Sequence, residues 1–282
     1  AAVAKGAAPD DALKDLLANP AFLRTLRQDK TRVQAGFMAM DPRTGDVRAW
    51  VGSRDFAQDP FDHVQAARRQ PGSTFKPFVY GAAIANGATP EDTLMDTAVE
   101  IPLGGGRVWR PTDGGPPSDQ PMTLADGLAF SKNTITAQVM QQVGPARVAE
   151  VARALGVRQS KLEEVPSLAL GTSPVTLKEM ISAYSSIVNL GRYVEPVLIT
   201  SIEDRNGKVL ETFAKPVPEE VFQPRAAQTL RNTMRGAVDR GTATAIRTRY
   251  GIQADVAGKT GTTQDNTDGW FILMHTRVVA GA

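Results

Sequence analysis

Three short motifs place hydroxyl and amine side chains at spacings that could support nucleophilic catalysis by a serine. They are Ser73-Thr-Phe-Lys76, Ser131-Lys-Asn133 and Lys259-Thr-Gly-Thr262. A serine hydroxyl is a weak nucleophile at neutral pH, so it needs an adjacent base to take its proton. Each motif alone is short enough to arise by chance, and it is the set that indicates a site.

Lys76 is the candidate base for Ser73. On a helix, a residue three positions later lies on the same face, so the amine of Lys76 could reach the hydroxyl of Ser73. To accept a proton the amine must be neutral near pH 7, although the ordinary pKa of lysine is about 10.4. Burial and a second ammonium close by, such as that of Lys259, would both lower this pKa. The motifs therefore predict two lysines near one serine.

Backbone N–H groups near the same serine could stabilise an oxyanion. The N-terminal turn of a buried helix would leave the N–H of Ser73 free, and a strand edge would offer that of Thr262, after the flexible Gly261. One such donor is typically worth about 3–4 kcal/mol in the transition state. The competing interpretation is structural, with a helix cap at Ser73, loop residues at 131–133 and an edge strand at 259–262.

The apolar spacing predicts the elements that would position these motifs. Residues 73–85 are apolar at intervals of three and four and end at Asn86-Gly87, which predicts a helix that begins at Ser73. Alternation predicts a hairpin over residues 34–51 and strands over residues 255–263, 269–275 and 277–282. Strands at both ends with helices between them predict a mixed sheet that is completed by the two ends of the chain.

The same signals assign the rest of the chain. Further helices are predicted at residues 124–130, 134–142, 146–155, 176–190 and 224–238. Residues 88–122 are rich in Gly and Pro and are interpreted as a long surface excursion, with a short strand near 99–102. Alternation over residues 197–213 around Asn206-Gly207 predicts a second hairpin. The chain begins with an Ala-rich linker that leads into helical turns.

The composition restricts the chemistry further. The 282 residues are 41% hydrophobic and 22% charged, which excludes intrinsic disorder and a coiled coil. Lys and Arg exceed Asp and Glu by only two charges, so no nucleic-acid partner is expected. The absence of Cys excludes a thiolate nucleophile, and with only two His no His-rich metal site is expected. Neither a membrane span nor a signal peptide is visible, so the chain as given is expected to be soluble.

The three motifs and their surroundings resemble the transpeptidase domain of class A penicillin-binding proteins. The resemblance covers about residues 33–282 and is carried by Arg69-Gln-Pro-Gly-Ser-Thr-Phe-Lys-Pro77, Phe130-Ser-Lys-Asn-Thr134, Ala169-Leu-Gly-Thr172 and Ala257-Gly-Lys-Thr-Gly-Thr-Thr263. The nonapeptide around Ser73 is far more specific than Ser-x-x-Lys. The resemblance implies an α+β fold of the penicillin-binding protein and serine beta-lactamase type. In that fold an antiparallel five-stranded sheet is flanked by helices, and the active site lies in the groove beside a mostly helical subdomain.

The resemblance also implies the catalytic roles. Ser73 is expected to be the acylated nucleophile and Lys76 its base, while Ser131 relays a proton to the leaving amine and Lys259 supplies a positive field. Such proteins attack the D-Ala-D-Ala bond of a peptidoglycan stem peptide, expel the last D-Ala and pass the acyl group to an amine on a neighbouring strand. Beta-lactam antibiotics acylate the same serine. No metal or organic cofactor is required.

The substrate-binding residues are implied in the same way. Asn133 is expected to hold Lys76 and a substrate carbonyl. The hydroxyls of Thr260 and Thr262, on either side of Gly261, are expected to receive the terminal carboxylate of the donor peptide.

Class A members carry two further parts that are not seen in this sequence, a membrane anchor and a glycosyltransferase domain. The resemblance therefore implies a piece of a longer chain, in which residues 1–32 are a linker and N-terminal helical segment. The anchor would hold the transpeptidase domain, residues 33–282, at the periplasmic or extracytoplasmic face of the bacterial inner membrane. Residues 278–282 are expected to be the first half of the last central strand.

Three alternatives share parts of this pattern. A serine beta-lactamase often carries Glu-x-x-Leu-Asn for deacylation, and the acidic segment from Glu163 to Leu168 lacks the Asn, so hydrolysis of antibiotics is not expected. A D,D-carboxypeptidase, in which water replaces the amine acceptor, stays open. A penicillin-sensing module that is acylated without turnover stays open as well.

Overall fold

The computed structural model describes residues 8–263 and 266–282, apart from the side chains of residues 29 and 30. Most of the predicted Ala-rich linker, and residues 264 and 265 of the predicted connection before the last hairpin, lie outside the described residues. Contacts divide the chain into two compact units, Ala1–Ala35 and Gly36–Ala282. Within the described part, no helix combines the length and the apolar character that a membrane span needs.

The smaller unit contains two short helices, α1 (Pro9–Leu17) and α2 (Pro20–Thr31). Each begins with a proline, whose missing N–H is not needed at the first helical position. Asn19 caps α2, because its side-chain oxygen accepts hydrogen bonds from the N–H groups of Ala21 and Phe22 at 3.0 and 3.1 Å. The predicted helical turns are confirmed.

The larger unit is built on an antiparallel five-stranded sheet whose strands lie in the order β11 (Ala257–Thr262), β12 (Gly269–His275), β13 (Val278–Gly281), β1 (Phe37–Met40) and β2 (Val47–Val51). Its strands come from both ends of the chain, as the alternation predicts, and β13 pairs with β1 at the centre. The strands of this unit are β1 (Phe37–Met40), β2 (Val47–Val51), β3 (Thr93–Met95), β4 (Ile101–Gly104), β5 (Arg107–Trp109), β6 (Pro121–Thr123), β7 (Arg192–Tyr193), β8 (Ser201–Glu203), β9 (Val209–Thr212), β10 (Glu219–Glu220), β11 (Ala257–Thr262), β12 (Gly269–His275) and β13 (Val278–Gly281).

Helices cover the sheet and form the rest of the core. They are α3 (Lys76–Ala85), α4 (Leu124–Ala129), α5 (Asn133–Val143), α6 (Pro145–Leu155), α7 (Leu177–Val188), α8 (Pro224–Asp239) and α9 (Ala245–Thr248). Helix α7 packs across β1, β12 and β13, and α3 lies among α5, α6 and α8. Large side chains such as Phe75, Phe78, Tyr80 and Tyr184 are fully buried there. Each buried side chain of this size stabilises the fold by roughly 1.5–3 kcal/mol.

The predicted surface excursion, residues 88–122, contains more regular structure than its Gly and Pro content indicates. Strand β3 pairs with β6, and β4 pairs with β5 through the turn at 104–106, where three glycines have positive φ. Strand β4 coincides in part with the strand that is predicted near residues 99–102. The hairpin at Asn206-Gly207 is confirmed by the pairing of β8 with β9, and Gly207 has a φ of +82°.

Candidate active site

Ser73 lies in a short 3-10 turn, Gly72–Phe75, and the α-helix α3 begins only at Lys76. The predicted α-helical start at Ser73 is therefore wrong by three residues. The reason is local, because Pro77 has no N–H and is tolerated only in the first turn of a helix. The hydroxyl of Thr74 closes the turn by donating to the carbonyl oxygen of Pro71 at 2.7 Å. The hydroxyl of the buried Tyr184 also holds the turn, because it donates to the carbonyl oxygen of Thr74 at 2.6 Å.

Lys76 is fully buried and directs its amine at the second motif. The Nζ atom donates to the carbonyl oxygen of Ser131, to Ser131 Oγ at 3.2 Å and to Asn133 Oδ1 at 2.6 Å. All three acceptors belong to the second motif. Among the described residues, no hydrogen bond joins Lys76 to the hydroxyl of Ser73, and Ser73 Oγ bonds to no other residue.

Ser131 occupies a strained turn between α4 and α5. Its φ is +59°, in the left-handed region that residues other than glycine seldom adopt. The turn is held by backbone hydrogen bonds from Ser131 N to Leu128 O at 3.2 Å and from Lys132 N to Gly127 O at 2.8 Å. Strain of this kind is concentrated at functional sites, where the surroundings hold it in place. The turn presents Ser131 Oγ to the amines of both motif lysines.

Lys259 approaches Ser131 from the edge strand β11. Its side chain is fully buried, and its Nζ donates to Ser131 Oγ at 2.8 Å and to the carbonyl oxygen of Thr260 at 3.1 Å. The structure therefore brings together residues from α3, from the turn before α5 and from β11. The three motifs meet as predicted, but the serine on which both lysines converge is Ser131 and not Ser73.

The 3-10 turn lies directly against β11, because glycines at two positions allow the backbones to touch. A Cβ on Gly72 would lie 2.6 Å from the carbonyl oxygen of Thr262, and a Cβ on Gly261 would lie 2.6 Å from that of Pro71. Gly72 also has a φ of +54°, which disfavours any side chain there. Ser73 is consequently held beside the end of β11.

The N–H of Thr262 is directed away from the sheet. On β12, Phe271 exchanges backbone hydrogen bonds with Ala282 on the β13 side. In an antiparallel sheet, successive residues of a strand direct their backbone N–H and C=O groups alternately at the two neighbouring strands. Trp270, which precedes Phe271, therefore directs its groups at Gly261 on β11. The polar groups of Thr262 then point out of the open edge of β11, towards the side where the 3-10 turn packs.

Burial lowers the pKa of both lysines. The pKa of Lys76 falls well below its usual range because the amine is buried, and the nearby charge of Lys259 lowers it further. Lys132 also lowers this pKa, whereas Asp113 acts in the opposite direction. Burial lowers the pKa of Lys259 to about 7. The two causes that the sequence predicts for Lys76, burial and a second ammonium, therefore both operate.

Asn133 is held by the excursion, which sequence reasoning did not connect with the site. Its side-chain Nδ2 donates to the carbonyl oxygen of Thr112 at 2.7 Å, and its backbone N–H donates to Asp113 Oδ1 at 2.7 Å. Lys132 pairs with Asp96 at 2.9 Å and with Asp113 at 3.4 Å. In the sequence, Asp96 and Asp113 are indicated only indirectly. Lys132 lies at a helix start inside a motif that is expected to be buried, and a buried lysine requires a carboxylate partner.

The threonines of the third motif differ in exposure. Thr262 is exposed, while Thr260 is half-buried and its hydroxyl lies 2.8 Å from that of Thr242. Sequence reasoning also missed Thr242 and an ion pair of 2.6 Å between Arg69 and Asp268, which joins the segment before Ser73 to the start of β12. Among the described residues, no cluster of three or more His, Asp or Glu side chains could hold a metal ion.

Comparison with known families identifies this arrangement. The family of the penicillin-binding protein transpeptidase domain matches residues 35–272. The chain belongs to this family. Membership confirms the resemblance drawn from the motifs, and the α+β fold with its antiparallel sheet agrees with solved structures of such domains.

Relatives of known sequence include penicillin-binding proteins 1A. The chain is 34% identical to that of Rickettsia conorii, over 89% of this chain and 34% of the relative. It is 35% identical to that of Neisseria meningitidis serogroup A, over 88% of this chain and 32% of the relative. The chain thus spans about a third of the length of these relatives.

Solved structures agree with this assignment. Penicillin-binding protein 1A from Haemophilus influenzae superposes with a TM-score of 0.83 at 26% identity, over 88% of this chain and 42% of that one. PonA1 from Mycobacterium tuberculosis, solved in complex with penicillin V, has a TM-score of 0.72 at 21% identity, over 92% of this chain and 72% of that one. The second likeness concerns the fold alone.

Proposed function

We propose that this transpeptidase domain is a serine D,D-transpeptidase that cross-links peptidoglycan stem peptides through an acyl-enzyme on Ser73. One observation carries the proposal. Beside the Ser73 turn, the buried amines of Lys76 and Lys259 both donate to Ser131 Oγ, at 3.2 and 2.8 Å, and both have a lowered pKa. Amines in this state exchange protons with hydroxyls near neutral pH, which acyl transfer requires.

Acylation begins with the hydroxyl of Ser73. Its oxygen attacks the carbonyl carbon of the penultimate D-Ala, and its proton passes to the neutral amine of Lys76. The N–H groups of Ser73 and Thr262 donate to the oxyanion, each worth about 3–4 kcal/mol. Ser131 then delivers its proton to the nitrogen of the leaving D-Ala as the peptide bond breaks, and the proton that Lys76 received passes to Ser131. Catalytic hydrogen bonds commonly tighten only when substrate binds, so the present bonding of Lys76 is compatible with this role.

Substrate is held by four side chains around this centre. The hydroxyls of Thr260 and Thr262 and the charge of Lys259 receive the terminal carboxylate of the donor, and Gly261 keeps the strand close to the Ser73 turn. Asn133 uses one proton of its Nδ2 on Thr112, which leaves the second for a substrate carbonyl.

Deacylation needs an amine of a neighbouring stem peptide. The amine attacks the ester of Ser73, forms the new amide bond and returns a proton to the serine oxygen. Hydrolysis of the ester would instead use water as the nucleophile, and water needs a carboxylate base to take its proton. The acids at Glu163 and Glu164 are engaged in surface ion pairs with Lys161 and Arg153, at 3.3 and 3.0 Å. Slow hydrolysis is therefore expected, which favours transfer over a carboxypeptidase or beta-lactamase reaction.

The cellular setting is part of the same proposal. The chain matches about a third of the length of penicillin-binding proteins 1A. This supports a longer protein with a glycosyltransferase domain and a membrane anchor. Residues 33–282 would then act on peptidoglycan at the periplasmic face of the bacterial inner membrane. Beta-lactams would acylate Ser73 in place of the donor peptide.

A peptide assay tests the reaction. The protein is incubated with a donor peptide ending in D-Ala-D-Ala and with an amine acceptor, and the products are measured by mass spectrometry. The proposal expects release of D-Ala and a joined donor–acceptor product, both lost in a folded Ser73→Ala variant. Donor that has lost D-Ala without gaining acceptor would indicate a carboxypeptidase. A persistent adduct, with D-Ala released only in proportion to the enzyme and no joined product, would indicate a sensor.

A further inference from the structure

The helix that carries Asn133 is capped by a residue from another segment. Helix α5 begins at Asn133, and the N-cap residue Lys132 has no side-chain acceptor for the free N–H groups of the first turn. Asp113, twenty residues earlier, supplies the capping acceptor instead. Its Oδ1 accepts from the N–H of Asn133 at 2.7 Å, and its Oδ2 lies 3.1 Å from the hydroxyl oxygen of Thr134. A negative charge at a helix N-terminus is favourable.

A buried ion-pair network anchors Asp113. Lys132 lies between Asp113 and the fully buried Asp96, at 3.4 and 2.9 Å. Asp96 also accepts from the hydroxyl of Thr134 at 2.7 Å and from the N–H and hydroxyl of Ser118 at 3.0 and 2.9 Å. Burial alone would raise the pKa of Asp96, but the hydrogen bonds from Lys132, Thr134 and Ser118 hold it well below its usual range. The network therefore keeps its charges, and a fully bonded network of this kind is rigid.

The same segment sets the orientation of the Asn133 amide. Thr112 presents a carbonyl oxygen, which only an N–H can approach, and it receives Asn133 Nδ2 at 2.7 Å. This leaves Asn133 Oδ1 facing the amine of Lys76 at 2.6 Å. Residues 112 and 113 therefore fix both the backbone and the side chain of Asn133. The adjacent Ser131 keeps its positive φ only while its surroundings hold it.

We propose that Asp113 is a positioning residue for the turn formed by Ser131, Lys132 and Asn133. The inference rests on the proposed acyl transfer at Ser73. Asp113 contacts neither substrate nor the reacting atoms, and it acts through the backbone of Asn133 and the charge of Lys132. Loss of this contact would let the turn shift, so that Ser131 and Asn133 no longer meet the amine of Lys76.

Acylation kinetics with a fluorescent penicillin test this role. The maximal acylation rate and the half-saturating concentration are measured for the wild type, Asp113→Ala and Asp113→Asn. Because small displacements of catalytic groups are costly, Asp113→Ala is expected to lower the maximal rate on the order of 10²-fold with little change in half-saturation. Asp113→Asn keeps an oxygen acceptor for the N–H of Asn133 but loses the charge beside Lys132, so it should recover only part of the rate.

A matched control comes from the same excursion. Glu100 is exposed and pairs with the exposed Arg110 at 2.7 Å, so Glu100→Ala should match the wild type. If Asp113→Ala does not fold, as judged by its melting temperature, Asp113→Glu replaces it. Glutamate keeps the charge beside Lys132 but moves the carboxylate, so a positioning role predicts a slower maximal rate in a stable protein.

The outcomes separate this inference from the proposed function. Wild-type protein that is acylated on Ser73, with Asp113 variants equally fast, would overturn the positioning role alone. Variants that raise only the half-saturating concentration would overturn it as well, because they would place Asp113 in binding. Wild-type protein that is not acylated would overturn both.

Discussion

The buried amine of Lys259 makes stability depend on pH in a direction that can be measured. The side chain is fully buried, and its pKa falls from an ordinary 10.5 to about 7. Each unit of pKa shift corresponds to about 1.4 kcal/mol, so the full shift corresponds to about 5 kcal/mol of destabilisation when the group is charged in both states.

The sign follows from proton binding. Below about pH 7 both the folded and the unfolded protein hold the proton on Lys259, and the folded state carries the whole cost of the buried charge. Between about pH 7 and pH 10.5 the unfolded state binds more protons, so stability rises with pH across this window by up to about 1.4 kcal/mol per pH unit. Lys76, whose pKa is also lowered, contributes in the same direction.

Lys259→Met removes the charge and keeps the length of the side chain. The variant loses the hydrogen bonds to Ser131 Oγ and to the carbonyl oxygen of Thr260, each worth about 1 kcal/mol. Below about pH 7, where the group is charged in both states, the net effect is a gain of about 3 kcal/mol in the free energy of unfolding, within the range seen when buried charges are replaced by apolar groups. A rise in Tm of about 5 °C is expected. Acylation should be lost, which is a trade of activity for stability.

Denaturant unfolding of wild type and Lys259→Met over a pH series, from about pH 6 to about pH 10, measures this effect. The advantage of the variant should be largest at the acidic end and should shrink as pH rises. Lys208→Met, at an exposed position on the β8–β9 hairpin, controls for loss of a lysine and should leave the pH dependence unchanged. A variant that is less stable than wild type at pH 7, or a difference that does not vary with pH, would refute the reasoning.

Other predictions test the remaining parts of the site. Lys76→Arg should nearly eliminate acylation, because a guanidinium cannot lose its proton, whereas Lys259→Arg keeps the positive field and should be milder. Equal losses in acylation rate would contradict this division. Gly72→Ala should slow acylation and destabilise the fold by about 1 kcal/mol or more, since its φ is +54° and its Cβ would meet β11; an unchanged Tm would count against that contact. The penicilloyl adduct on Ser73 should persist in intact-mass measurements after free drug is removed, and rapid return to the unmodified mass would show a hydrolase.

Local patterns in the sequence predict much of the fold. The hairpin turn at Asn206-Gly207 and the helices of the middle region follow from periodicity and turn chemistry, which act over a few residues. The central pairing of β13 with β1 joins residues at opposite ends of the chain. This pairing can be predicted only from the need of the strands at the two ends of the chain to bury their apolar faces in one common sheet.

In the candidate site, too, local features can be predicted from the sequence and long-range contacts cannot. The spacing of Ser73 and Lys76 is a local property, so it predicts that the two lie close together. The convergence of Ser131 and Lys259 on this pair depends on packing between three elements, and the family resemblance rather than spacing supports it. The 3-10 start before Lys76 could have been inferred from Pro77, which limits where an α-helix can begin.

The acids that support the second motif could not be predicted. Asp96 and Asp113 lie in a Gly- and Pro-rich excursion without periodicity, and their partner Lys132 looks like a solvated lysine in the sequence. Only the folded chain shows that α5 starts without a local cap and that Asp113 supplies one from another segment. Such long-range polar contacts depend on tertiary structure and leave no local pattern.

The central claim is that Ser73 forms an acyl-enzyme. The most direct test is to incubate the protein with a labelled penicillin, digest it and locate the adduct by peptide mass mapping. The account predicts one adduct per chain, on the peptide that contains Ser73, and no adduct in a folded Ser73→Ala variant. Labelling of another residue, or labelling that persists in that variant, would contradict it.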